Sequence, residues 1–243
     1  MLFRSDSRLR TVTTKAFETL REHSLSSLAQ HELERQIISG EFAIGAKLNE
    51  ADIATSLGVS RGPVREAFRA LSQAGLVRVE KNRGVFVRQV SLEEASEIYE
   101  VRAALEGLIG KLASRRIDTD AIGQLRALVR KMQAHGKLHT QRKPEAYFVL
   151  NVEFHDLLAR AAGNDALLTN YRSVVNQLDL YRRATLSSSK ENIPISTRDH
   201  EAIVDAVALR DEALAERLMS DHVLQSRARL HLALGTPVAL APS

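Results

Sequence analysis

The tightest constraint on this chain is the turn Leu57-Gly58-Val59-Ser60, which joins two segments too short to be stable helices in isolation. Before it, Asn49 with Asp52 three residues on reads as a helix start, opening a short helix from Glu50 to Leu57. After it, Ser60 caps a helix over Arg61 to Ala74, with Pro63 in the first turn, where no intrahelical donor is required, and Gly75 as its stop. Such a pair must bury its apolar sides against another element. A preceding helix from Ser24 to Gly40 supplies one, with Leu28, Leu33, Ile37 and Ile38 on its apolar side. Past Gly75 the hydrophobic period changes from helical to alternating. Leu76, Val77 and Val79 form one strand and Val85, Phe86 and Val87 another, joined by Glu80-Lys81-Asn82-Arg83-Gly84 into a two-stranded hairpin with a basic tip. The expectation is a winged helix-turn-helix over residues 24–90, preceded by a flexible arm over 1–23.

The charge distribution gives this domain a chemistry. Residues 1–90 hold 14 Lys+Arg against 10 Asp+Glu, whereas residues 91–243 hold 20 of each, so the net charge of +4 is entirely N-terminal. Between Arg61 and Arg88 stand seven basic residues and two acidic ones, a density suited to a polyanion. On the second helix of the pair, Val64, Phe68 and Leu71 form a stripe to bury, while Arg61, Arg65 and Arg69 recur every four residues on another side. Guanidinium groups in that row match guanine O6/N7 and phosphate oxygens, and Ser60 with the free amides of the helix start suits a phosphate. Lys81 and Arg83 sit where a wing meets the minor groove or backbone, Gly84 allows the close turn, and Glu66 reads as an intramolecular partner for an arginine.

Ser91 with Glu94 opens a helical region that runs almost to the end. Helices are expected near Leu92 to Ser114, Asp120 to Ala134, Pro144 to Ala162, Ala166 to Leu186, Thr197 to Leu209 and Asp211 to Leu234, with breaks at Gly163-Asn164 and Lys190 to Ile195. The fold class is therefore mainly α: the winged domain, an antiparallel bundle of six helices over 91–234, and a tail over 235–243. The absence of Cys excludes disulfide scaffolds, Cys-ligated zinc fingers, Fe–S clusters and thiol nucleophiles. No apolar run approaches the roughly 18 residues of a membrane span, and the N-terminus lacks the apolar block of a secretory signal, so a cytoplasmic chain with no membrane partner is expected.

Of eight histidines, His23, His31, His135, His139 and His231 fall near ends, loops or polar faces. His155, His200 and His222 instead share helix sides with Val152 and Leu158, with Ile203 and Val207, and with Leu218 and Met219, so three helices turn an imidazole inward. A single buried His is ordinarily a hydrogen-bonded core residue. Three in one bundle are satisfied together by a divalent cation, zinc foremost, with nickel, manganese, cobalt or iron also suited, and Asn151 one turn before His155 can add an amide oxygen. Arg102 lies on an apolar side with Ile98, Leu105 and Ile109, which demands a partner: either an internal bridge to Glu106 or a carboxylate ligand reaching the metal. Tyr181, Arg182 and Arg183 are further candidates for that pocket. No carboxylate is evident beside the histidines to serve as a general base, which weighs against a metal-dependent enzyme.

The segments Leu48-Asn49-Glu50, Leu57-Gly58-Val59-Ser60-Arg61-Gly62-Pro63-Val64-Arg65-Glu66-Ala67, Gly75-Leu76-Val77 and Arg83-Gly84-Val85-Phe86-Val87 closely resemble the GntR family of bacterial transcription regulators. The resemblance implies a homodimer on palindromic double-stranded operator DNA, with Arg61 and Arg65 reading the major groove and Arg83-Gly84 in the wing. Residues 91–234 resemble the FCD ligand-binding domain of its FadR subfamily, six helices placing it nearer the VanR branch. Metal-binding members carry Asp, then His four residues later, then two further His on the last two helices. Here Asn151 departs from that Asp, while His155, His200 and His222 match, as does Ala161-Ala162-Gly163-Asn164. What the resemblance implies is a regulator, a repressor by expectation, that takes a small organic acid at a metal site. A regulator answering to metal alone, or a metal-dependent enzyme, are the alternatives.

Overall fold

In the computed structural model, which describes residues 24–137, 144–185 and 193–233, the first helix α1 (24–39) buries Leu33 and Ile37 completely and ends at Gly40. Burying a side chain of that size contributes about 1.5–3 kcal/mol, enough to hold a helix that would not persist alone. Helix α2 (Glu50–Leu57) begins where the Asn49 side chain accepts from the Ala51 amide and stops at Gly58, whose φ of 64° lies in the left-handed region that glycine adopts without strain. Helix α3 (Arg61–Gln73) turns Val64, Ala67, Phe68 and Leu71 inward, the stripe expected from their spacing. The hairpin consists of β2 (Val77–Glu80) and β3 (Gly84–Val87), paired antiparallel with Val77 opposite Val87.

The sheet is larger than the two strands expected. Lys47 and Leu48 form β1, which pairs antiparallel with β3, giving the order β1-β3-β2. Two residues carry no readable periodicity. Only the open edge of β3 makes them a strand.

The chain divides between Gln89 and Val90 into two compact units. Among the described residues the second contains six helices: α4 (Leu92–Arg116), α5 (Thr119–Lys137), α6 (Pro144–Ala161), α7 (Asp165–Thr185), α8 (Ile193–Ala208) and α9 (Glu212–Ala233). Ser91 caps α4 by accepting from the Glu94 amide, as the sequence spacing indicates. Helix α8 starts at Ile193, inside the expected break, because Pro194 sits in a first turn where it forfeits no hydrogen bond. Helix α4 packs against α6, α7, α8 and α9 and so forms the centre of the bundle. Gly107 and Gly110 let α9 approach it: a Cβ on Gly110 would lie 2.6 Å from the Ala215 carbonyl oxygen. One apolar core, including Ile109, Leu125, Phe154, Leu158, Ile203 and Met219, fills the bundle, and a second cluster around Tyr99, Leu178, Tyr181, Val223 and Leu230 completes it. The arm over 1–23 and the tail over 235–243 lie outside the described residues. No helix among those described is long and apolar enough to cross a membrane.

Candidate metal centre and nucleic-acid interface

The face of α3 opposite its buried stripe carries Arg61, Arg65 and Arg69, all exposed. Arg65 donates from Nε to Glu50 Oε2 on α2 at 2.8 Å, and Arg69 donates to Glu66 at 2.7 Å, the arginine partner expected for that glutamate. Ser60 occupies the N-cap position, yet its side chain makes no capping bond. At the hairpin tip Asn82 (φ 62°) and Gly84 (φ 112°) are both left-handed, and Lys81 and Arg83 point outward. Arg83 pairs with Glu80 at 2.7 Å, and so does Arg78 at 2.9 Å, while both guanidinium groups lie within 6 Å of the Phe86 ring centre. Arg78 is absent from the sequence reading. Alternation along β2 is the signal that places it outward, and the cross-strand pairing with Phe86 brings it to the wing.

In the helical unit, α6, α8 and α9 bring His155, His200 and His222 together as the inward faces predict. All three are buried, one ligand nitrogen from each lies within 4.8 Å of the others, and ring centres are 4.6–5.2 Å apart. His155 Nε2 and His200 Nε2 face each other at 3.2 Å. The outer nitrogens have acidic neighbours. His222 Nδ1 lies 3.1 Å from Asp199 Oδ2, and His155 Nδ1 lies 2.6 Å from Glu106 Oε2, though out of line with a ring N–H donor. The expected absence of carboxylates beside the set is thus corrected. Both stand on the outer nitrogens of the rings, where they orient imidazoles. Sequence spacing hides them, since Asp199 adjoins His200 in the chain but contacts His222 across the helices.

Burial, with the neighbouring His222 and His155, drives the His200 pKa well below its ordinary 6.5. Burial likewise lowers that of His222, outweighing the Asp199 hydrogen bond. Both are therefore neutral at pH 7, the form that ligates cations. His200 Nδ1 is buried without a hydrogen-bond partner among the described residues. Three converging imidazoles, with carboxylates behind two of them, fit a borderline divalent ion.

Arg102 is buried on α4 and donates from Nε to Glu106 Oε1 at 2.6 Å, so the internal bridge anticipated for it forms. Burial, the largest single influence, raises the Glu106 carboxyl pKa, but the Arg102 charge together with His155 and His222 more than reverses this and keeps Glu106 ionised. Arg102 also borders a pocket together with Asn151, His155, Phe148, Tyr171 and Asp179. Its interior volume is about 10 Å³, on the scale of one water. Three of the residues singled out by sequence, Arg102, Asn151 and His155, thus share one pocket wall. Tyr171 and Asp179 join them unforeseen. Tyr181 lies elsewhere, packed in the second apolar cluster, and the side chains of Arg182 and Arg183 lie outside the described residues. His231, expected near an end, loop or polar face, is instead buried, with Nε2 2.6 Å from Ser96 Oγ on α4. His31 is exposed, and the side chains of His23, His135 and His139 fall outside the described residues.

Residues 25–87 match the family described as "Bacterial regulatory proteins, gntR family", and residues 97–225 match the FCD domain. Among curated relatives, the "Probable D-xylose utilization operon transcriptional repressor" of Paenarthrobacter nicotinovorans is 32% identical over 77% of this chain and 80% of its own length. A crystal structure of a GntR transcriptional regulator from Rhodococcus sp. RHA1 is 27% identical, covers 88% of this chain and all of the other, and superposes with a TM-score of 0.67. The Escherichia coli protein McbR/YncC, at 19% identity, shares the fold with a TM-score of 0.71 over 86% of this chain and 98% of its own.

Proposed function

Because the chain belongs to the GntR family of bacterial regulatory proteins and carries an FCD domain, we propose that it is a repressor that binds a palindromic operator as a homodimer and is controlled by a small carboxylate at a metal site. A transcriptional regulator with a DNA-binding domain and an effector domain is the part that family membership itself establishes. In the N-terminal unit, Arg61, Arg65 and Arg69 enter the major groove, Ser60 and the adjacent helix amides hold a phosphate, and Lys81, Arg83 and Gly84 place the wing on the flanking backbone. Glu50 and Glu66 hold two of these arginines in the free protein and yield them to DNA.

The observation that carries the regulatory half is the meeting of His155, His200 and His222, with Arg102 and Asn151 on the adjoining pocket wall. The three imidazoles would hold the ion, zinc foremost among zinc, nickel, manganese, cobalt and iron. Asn151 is a further oxygen donor beside them. The bound ion supplies positive charge to a ligand carboxylate, and Arg102 supplies a fixed guanidinium for it. A ligand that binds one arrangement of the dimer better than another shifts the population on operator DNA by that difference in affinity. The small volume of the pocket favours, as a second reading, a regulator that answers to metal alone.

Two experiments test this. Elemental analysis of untagged protein, purified without chelator, is expected to find about one divalent ion per chain, lost when His155, His200 and His222 are all replaced by Ala. Selection from random DNA duplexes should return a two-fold symmetric motif. Absence of metal after incubation with zinc, nickel and manganese overturns the metal site, and failure to enrich any sequence overturns the operator reading.

A further inference from the structure

Among the described residues Glu106 is the one carboxylate in the helical unit that is wholly buried, and its two oxygens meet different partners. Oε1 accepts from Arg102 Nε at 2.6 Å, and Oε2 lies 2.6 Å from His155 Nδ1. Arg102, at one oxygen, and His155 of the imidazole cluster, at the other, both border the pocket. The sequence offered Glu106 only as a bridge for Arg102, one helical turn away. The second contact comes from α6, and it gives the carboxylate two rivals for one negative charge.

We propose that Glu106 is a positioning residue that couples the anion pocket to the metal site: an anion that draws Arg102 toward itself releases the Glu106 charge to His155, and the metal is held more tightly. The inference rests on the metal reading given above and extends it. A carboxylate behind a ligating imidazole fixes the ring and strengthens its hold on a cation, and loss of such a partner typically weakens metal binding about 10–100-fold. Arg102 opposes that effect while its guanidinium neutralises Glu106. The Oε2 contact is out of line with a ring N–H, which leaves room for it to improve when the guanidinium withdraws. By linkage the coupling is reciprocal, so bound metal favours anion binding to the same degree.

A double-mutant cycle tests it, with zinc affinity measured by competition against a chromophoric chelator and the ligand field read from the visible spectrum of cobalt-loaded protein. Glu106→Gln is expected to weaken zinc binding roughly 10–100-fold and alter the cobalt spectrum. Arg102→Gln removes the guanidinium charge while retaining a donor for Glu106, and is expected to tighten zinc binding several-fold in the wild-type background. In the Glu106→Gln background it is expected to have no effect. Equal tightening in both backgrounds would mean that Arg102 acts on the ion directly and overturns the inference, as would an unchanged affinity in Glu106→Gln. Should a single variant fail to fold, the double variant carries neither buried charge and still decides, since zinc binding as tight as wild type overturns the inference. Wild-type protein that binds neither zinc nor cobalt overturns the metal reading itself.

Discussion

His200 has a fully buried ring, an outer nitrogen with no hydrogen-bond partner among the described residues and two other imidazoles beside it. Protonating it in the folded chain is therefore costly, and the same holds in lesser degree for His222. Folding lowers both pKa values below 6.5, so as the pH falls through that value the unfolded chain takes up protons first. Stability from these groups is complete above pH 6.5 and is lost progressively below it. Glu106, depressed below the ordinary 4.5 because Arg102, His155 and His222 together outweigh burial, adds a further loss once the pH drops under 4.5. The melting temperature of metal-free protein is accordingly expected to be level from about pH 8 to 7 and to fall in two stages on acidification; a level profile down to about pH 5 would contradict it. Arg65 tests the other unit. Arg65→Ala should reduce preference for the selected operator over random duplex by roughly tenfold or more, as loss of a base-reading arginine does, whereas a uniform weakening on both duplexes would assign it to phosphate.

Helices pack where their surfaces permit, and α4 meets α9 across glycine. Gly110 leaves no room for a methyl group, with the Ala215 carbonyl oxygen 2.6 Å and Met219 Cγ 2.9 Å from the position a Cβ would take. Gly110→Ala should cost about 1–3 kcal/mol through overpacking, since backbone on α9 must shift. Gly123, on the exposed side of α5, has open space at the same position. Gly123→Ala should stabilise by about 0.5–1 kcal/mol, the usual preference of a helix for Ala over Gly. Chemical denaturation of the two variants gives opposite signs if the packing is as described. The histidines depend on this contact, because α9 carries His222 and α4 carries Glu106.

For the molecule as a whole, a metal bound only by the folded state adds stability by mass action, about 2.7 kcal/mol at a free concentration 100-fold above its dissociation constant. Zinc is therefore expected to raise the melting temperature of wild-type protein and to leave that of the triple histidine variant unchanged. Equal shifts in both would place the ion elsewhere. The two units divide the work along the chain: the basic excess lies in the first and the imidazole cluster in the second.

The sequence by itself determined what local chemistry controls. Asn49 and Ser91 mark their helix starts, Gly58 and Gly75 mark turns, the alternation after Gly75 marks a hairpin, and spacing alone turned His155, His200 and His222 inward on three helices. Periodicity states which side of a helix is buried. It carries no information on the height and rotation at which one helix meets another. Asp199 and His200 are neighbours in sequence, but consecutive helical residues point in different directions, so the Asp199 carboxylate reaches His222 on α9 instead. For the same reason the contact of Glu106 with His155, the burial of His231 against Ser96, the placement of Tyr171 in the pocket and of Tyr181 outside it, and the pairing of Lys47-Leu48 with β3 were settled only when the elements packed. Local signals fix the elements and their faces, and the register between faces is a property of the packed core.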